Sequence, residues 1–363
     1  MSDLLGAPIP GESRATCDAC AMCESLAPGA ESFNPATKCC TYLPVLPNYL
    51  VGGILADTSP EGAAGRASVE ARIARRIAVT PLGLSRPAVP DLLYQFGSVR
   101  GFGHSLAMRC PHYLEEGGRC GIWQHRNAVC ATWFCKHDRG EAGAAFWQRV
   151  QELLSTLERD LARWCLVELG VGHAALARLF PLSERSHRPD GFQLSAPDLD
   201  DASDPGLHAE LWGEWLGREV EMFRASARLM EGADVVEVLR RSGPDARIRV
   251  ELVRAAWQRL NDDRLPMSLR AGPLRVIRVD GRTCRLTTYS GLDPVEVPRD
   301  LFDALSYFEG RSTEDARAAM SREGGLTLST SLIRKMVDFG VLVSSDEPRA
   351  ESLDGAEASS PRG

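Results

Sequence analysis

Phe146, Val150, Leu153, Leu157, Leu161 and Trp164 recur at steps of three and four, which places them on one face of a helix. Gly170 follows as a stop, because glycine tolerates the left-handed backbone in which helices commonly end. Cys165 lies beside the stripe and reads as a core thiol. Trp212, Trp215, Leu216, Val220, Phe223 and Met230 predict a second helix with one apolar side, and its tryptophans read as core. Two further helical stretches, 234–241 and 246–261, complete a helical region. Between the first two helices, 181–206 is rich in Pro, Asp and Ser and reads as a linker. Its aspartates lack the spaced ligands and central glycine of a calcium loop, so they read as solvated.

Period two takes over near 273. "LRVIRV" and "RTCRLTTY" flank Asp280-Gly281, a strong hairpin signal. Pro298 opens a helix that Gly310 closes. Ser312 is placed as the N-cap of the next, with Asp315 as a weaker version of the capping-box acid. "STSLIRKMVDFG" predicts a third helix and "VLVSS" a terminal strand. Three short helices with a β-wing predict a winged-helix-like module.

At 363 residues and 44% hydrophobic content, the chain can bury a substantial core. A net charge of −7 supplies no general attraction to nucleic acid or anionic lipid. No apolar run reaches the ~18 residues of a membrane span, and the opening "MSDLLGAPIPGESRAT" lacks the basic and apolar regions of an export signal. A cytoplasmic, reducing location is expected. There, clustered thiols are more often cation ligands than disulfides.

Nine of the 11 cysteines fall before residue 136: Cys17, Cys20, Cys23, Cys39, Cys40, Cys110, Cys120, Cys130 and Cys135. Cys-x-x-Cys lets the chain turn so that two sulfurs face one ion, and the doubled unit at 17–23 offers three. Thiolates are soft ligands that favour zinc or iron over magnesium or calcium, and both tetrahedral zinc and an iron–sulfur centre such as [4Fe-4S] suit the set. Side chains of adjacent residues in extended chain point to opposite faces. Cys39 and Cys40 therefore suggest two ions or a multinuclear centre. His112, His125 and His137 lie among the later cysteines as possible extra ligands, each better read alone as a surface or hydrogen-bonded residue. In the stretch between the cysteine groups, "ASVEARIARRIAV" predicts a short basic helix whose Arg72, Arg75 and Arg76 form a solvated face.

"CPHYLEEGGRCGIWQHRNAVC" resembles the second half of the CxxCxxCC zinc- or iron-chelating family, the YkgJ-like cysteine cluster proteins. The resemblance implies Cys110, Cys120 and Cys130 as ligands and places Arg126 at the family's arginine. Trp123 stands for the usual Tyr and Asn127 for the usual Pro. The family's compact first half is here CxxCxxC, with the double cysteine after 15 intervening residues. One branch of the family resembles flagellin lysine N-methylases, which implies, as an alternative, a metal-dependent protein- or peptide-modifying enzyme using S-adenosylmethionine. No G-x-G-x-x-G fingerprint accompanies it, only "GFG" at 101–103.

The C-terminal module resembles PqqD-like winged helices, which implies contact with a peptide or protein. Between 298 and 344, six basic residues face seven acidic ones. That balance disfavours nucleic acid and makes a metal- or redox-sensing DNA-binding regulator the least favoured reading. The expected fold is mainly α with small β elements. It comprises a flexible leader (1–16), a cysteine-cluster metal-binding domain (17–140), a helical region (141–272), a winged-helix-like domain (273–344) and a disordered tail (345–363). The function expected is a metal-binding cysteine cluster protein, holding zinc or an iron–sulfur centre, with a protein-interaction module behind it.

Overall fold

The computed structural model describes residues 2–23, 32–180 and 204–346. The described residues are mostly helical, with four small antiparallel sheets of two or three strands among them. Among the described residues no helix is long and apolar enough to cross a membrane. Most of the expected 181–206 linker lies outside the described residues, as does the tail from 347. The linker's last residues begin a helix: Asp204 caps Pro205–Trp212 by accepting hydrogen bonds from the Gly206 and Leu207 amides.

Contacts gather the described chain into two units: 17–132 with 151–250, and 2–16 with 133–150 and 251–346. Helices Gly140–Glu168 and Val235–Asn261 each contribute to both. The first of them follows the apolar stripe, and Gly170 at φ +66° ends it as the sequence predicts. The second is broken at Gly243, φ +79°, immediately before Pro244, which separates the two predicted helical stretches.

The cysteine-bearing unit packs helix Asn48–Ala56 against helix Glu219–Met230 over a core that includes Val51, Ile54, Leu55, Leu166, Trp212, Met222 and Phe223. The two helices approach so closely at Gly52 that a Cβ there would stand 1.9 Å from the Phe223 carbonyl oxygen. Cys165 is fully buried in this unit, its sulfur toward the Ser226 carbonyl. The single helix predicted over 212–230 is instead two. Gly213 and Gly217, both at positive φ, turn the chain through a short 3-10 segment before Glu219. A second correction concerns Arg72 in helix Ala63–Ala74. Arg75 and Arg76 are exposed, but Arg72 is buried and its guanidinium donates to the Ile77 and Ser85 carbonyls. It closes the turn that follows its own helix.

In the other unit, Leu269, Leu286, Leu301, Phe308, Met320, Ile333, Met336 and Leu342 form a continuous core. Strands Arg275–Val279, Thr283–Thr287 and Val295–Pro298 make a three-stranded sheet with the first at an edge. Asp280 sets the hairpin turn, its carboxylate accepting from the Arg282 and Thr283 amides. Ser312 caps helix Thr313–Glu323, and its hydroxyl also meets the Asp315 carboxylate at 2.7 Å. Helix Thr330–Asp338 follows, and strand Leu342–Ser344 pairs with Leu269–Ala271. The leader is anchored at its end: Glu12 accepts from the Trp147 indole, Ser13 donates to Asp138, and Arg14 forms a bidentate pair with Asp293.

Candidate metal centre

Three stretches of the cysteine-bearing unit converge, and backbone hydrogen bonds fix how they meet. The Cys23 amide closes a turn onto the Cys20 carbonyl at 2.9 Å. The Cys110 amide donates to the Cys40 carbonyl at 2.8 Å, joining the double cysteine to the later group. Lys38, at φ +49°, sends its ammonium to the Cys17 carbonyl at 2.7 Å and the Gly118 carbonyl at 2.9 Å. One side chain next to Cys39 therefore staples both the N-terminal loop and the 113–120 hairpin.

In that hairpin Tyr113 pairs directly with Cys120, so both side chains share a face. The Tyr113 phenol lies within electrostatic reach of Cys20, Cys23 and Cys40, and Cys120 within reach of Cys17 and Cys39. That face of the hairpin is the thiol face. His112, one residue earlier, points the other way and meets the Ser68 hydroxyl through Nδ1 at 2.8 Å. It is 2% exposed, and burial lowers its pKa to about 4. His125 contacts Asp57 at 3.3 Å, and His137 belongs to the other unit.

The remaining thiols form a connected group. Cys39 lies within electrostatic reach of Cys40 and Cys20, Cys17 of Cys39 and Cys20, Cys130 of Cys120 and Cys39, and Cys110 of Cys130 and Cys120. Eight of the nine cysteines singled out in the sequence thus lie in one connected neighbourhood. The ninth, Cys135, falls in the other unit.

Electrostatics at the site pull in two directions. Burial, reinforced by the neighbouring thiols, raises Cys23 and Cys130 to about 12 and raises Cys110 as well. For Cys39 the Cys40 hydrogen bond is the largest cause, followed by burial. Opposing this, backbone amides of His112 and Ile122 hydrogen-bond the Cys110 and Cys120 sulfurs and favour their thiolates. Arg126 lies near Cys17, Cys120 and Cys130, and Lys38 near Cys17 and Cys23. The Arg126 guanidinium stacks 3.5 Å from the Trp123 ring centroid and donates to the Trp123 and Cys130 carbonyls. Tyr42 and Tyr94 back Cys130, with Arg86 over both rings.

Among the described residues no three His, Cys, Asp or Glu side chains stand as a ready-made cation shell. The thiols are neighbours that would have to turn onto an ion. Their chemistry fits a soft cation: eight sulfurs with amide and cationic support for the thiolate form, which hard oxygen-seeking ions do not need. Uptake would replace protons by metal and so weaken in acid. Lys38 and Tyr113 are contributions that the sequence does not announce. Tyr113 becomes visible only through the hairpin register, and nothing in the pattern marks Lys38.

A concavity of about 580 Å³ lies in the other unit around Arg139, Asp263, Thr330, Arg334, Lys335 and Asp338. Its Arg139 and Arg334 are both engaged by Asp338, so the charges there are largely satisfied internally. Comparison of the chain with protein-family models, with curated proteins and with solved structures gives no match, and its function must be argued from the thiol neighbourhood itself.

Proposed function

We propose that this chain is a metal-binding cysteine cluster protein whose thiols hold zinc or an iron–sulfur centre, with a protein- or peptide-contacting module at its C-terminal end. The observation that carries the reading is that eight thiols, from the stretches 17–23, 39–40 and 110–130, form one electrostatically connected neighbourhood around the 113–120 hairpin. A core that needed only apolar filling would have no use for amide donors and cations beside those sulfurs. Cys17, Cys20, Cys23, Cys39, Cys40, Cys110, Cys120 and Cys130 would hold the metal, and Lys38 and Arg126 would offset the charge of the assembled thiolates. A bound cation would supply a cross-link between segments about 100 residues apart, and so contribute folding free energy directly.

The contacting module is read from helices Arg299–Asp303, Thr313–Glu323 and Thr330–Asp338 with the 275–287 hairpin as a wing. Its edge strand Arg275–Val279 is exposed at every residue and carries Val276, Ile277 and Val279 outward. Unpaired edge amides beside apolar side chains suit strand addition by an extended peptide. The test of the main reading is metal and acid-labile sulfide content of protein purified without oxygen. Stoichiometric zinc, or iron with sulfide and a broad visible absorption, is the expected result. Protein that holds neither, and takes up neither on reconstitution, overturns the reading.

A further inference from the structure

The register of the edge strand Arg275–Val279 gives its two sides different chemistry. Val276 and Val279 stand opposite Leu286 and Cys284 of the central strand, and Arg275 and Arg278 opposite Thr287 and Arg285, with a bulge at Ile277 between them. Residues directly opposite share a face of the sheet. Leu286 and Cys284 belong to the core, so Val276 and Val279 carry the core face out to the edge, where they remain 44% and 50% exposed. The outer face carries Arg275, Arg278 and Arg285, with Arg282 in the adjoining turn. Between 275 and 298 the sequence sets three acids against these four arginines. Asp293 is buried against Arg14, and Asp280 is engaged by the Arg282 and Thr283 amides and the Thr283 hydroxyl. Only Glu296, opposite Arg285 on the third strand, is left to face them.

Like charges directly opposite each other across a sheet are destabilising, and Arg278 and Arg285 hold that arrangement. Blunting an edge against aggregation needs charge on the edge strand itself; it does not need a second arginine on the central strand beside it. A second copy of this strand would bring basic charge against basic charge. Nucleic acid would meet the arginines but leave the valines and the unpaired edge amides without partners. An extended peptide answers all three features. Its backbone pairs with the edge, and its side chains alternate between an arginine face and a valine face. We propose that Arg275–Val279 takes, as a fourth strand of its sheet, a partner segment in which acidic and apolar residues alternate. This inference rests on the contacting role proposed for the C-terminal module and names the chemistry of its partner: carboxylates over Arg275, Arg278 and Arg285, and apolar side chains over Val276 and Val279.

The test is fluorescence polarisation of the full chain with two short capped peptides, one alternating Glu and Val and the other Lys and Val, followed by amide hydrogen exchange on the complex. The Glu/Val peptide should bind and slow exchange in 275–279, while 283–287, already paired on both sides, stays unchanged. Arg275→Glu combined with Arg278→Glu should weaken that peptide about tenfold and admit the Lys/Val peptide in its place. A thermal unfolding curve matching the parent's shows the variant to be folded, and Arg285→Gln, which leaves the edge strand untouched, should weaken the Glu/Val peptide in the same direction. Glu/Val binding that leaves 275–279 unprotected, or that survives these substitutions, would overturn the proposal. So would displacement of the peptide by an equal concentration of a single-stranded oligodeoxynucleotide, which would assign the arginines to nucleic acid. Equal binding of the two peptides by the parent chain would overturn the acidic partner while leaving peptide contact standing. If neither peptide binds or protects the edge, the contacting role itself has failed.

Discussion

Glu158 shows how one side chain can set a pH dependence for the fold around the site. Its carboxyl accepts the Ala128 amide at 2.6 Å, at the start of the short helix Ala128–Thr132 that carries Cys130. Burial raises its pKa to about 8, against the opposing pull of that hydrogen bond. An unfolded chain would release the proton near the ordinary value of 4.5, whereas the folded chain holds it up to about 8. Between those limits the folded state binds more protons, so stability falls as pH rises, by at most about 1.4 kcal/mol per pH unit. Glu158→Gln removes the titration and keeps an acceptor for the amide. In urea unfolding of the metal-free chain, the variant should gain on the parent steadily from pH 5 to pH 8. Parallel stability curves would show that Glu158 ionises normally in the folded state. Arg72 makes a related point about single residues. In sequence it is one of three arginines in a basic run, and only the carbonyls of Ile77 and Ser85 reveal that it is buried while Arg75 and Arg76 are not.

Among elements, those with a strong period or a defined cap were legible in the sequence. The 146–164 stripe, the Asp280-Gly281 hairpin and the Ser312 cap each express a local rule that holds before any tertiary contact forms. Helix Asn48–Ala56 was not legible. "NYLVGGILA" is apolar almost all round and carries two adjacent glycines, which read as breakers. Its Gly52 is explained only by the Phe223 carbonyl pressed against it, a contact between residues 171 apart. The 212–230 region failed in the opposite sense, because its apolar side chains kept a helical spacing across two glycines that turn the chain. At the candidate site, the clustering of the cysteines was readable, but which thiols neighbour which depends on the 113–120 register. The exposed edge strand lends itself to a direct check. If Val276 and Ile277 serve contact with a partner, their replacement by Ser should change unfolding free energy by less than about 0.5 kcal/mol. A loss well above 1 kcal/mol would mean that the strand is needed for the fold and would remove it as a contact surface.

At the scale of the whole molecule, the chain's first described residues belong with its last ones. Asp293 is fully buried and receives both Arg14 nitrogens, at 2.9 and 2.7 Å, together with the Tyr289 hydroxyl. Lys136 stands 3.7 Å away. Removing one partner of a fully buried pair costs about 3–5 kcal/mol. Arg14 is itself 38% exposed, and Tyr289 and Lys136 would remain, so Arg14→Ala should cost about 2 kcal/mol. Chemical denaturation measures this, and a change below about 0.5 kcal/mol would mean that the leader is not anchored through Asp293.

The same membership has a consequence for the order of events during synthesis. Every residue of the cysteine-bearing unit among those described has been made once the ribosome passes residue 250, so that unit can fold while the chain is still growing. Residues 2–16, made before the rest of their unit, must wait for 251–346, which at ~5–20 residues per second follow the cysteine-bearing unit by ~5–20 seconds. A segment made well before its partners is thus among the last to find its place, and through that interval its charged side chains remain free to meet other components of the cell.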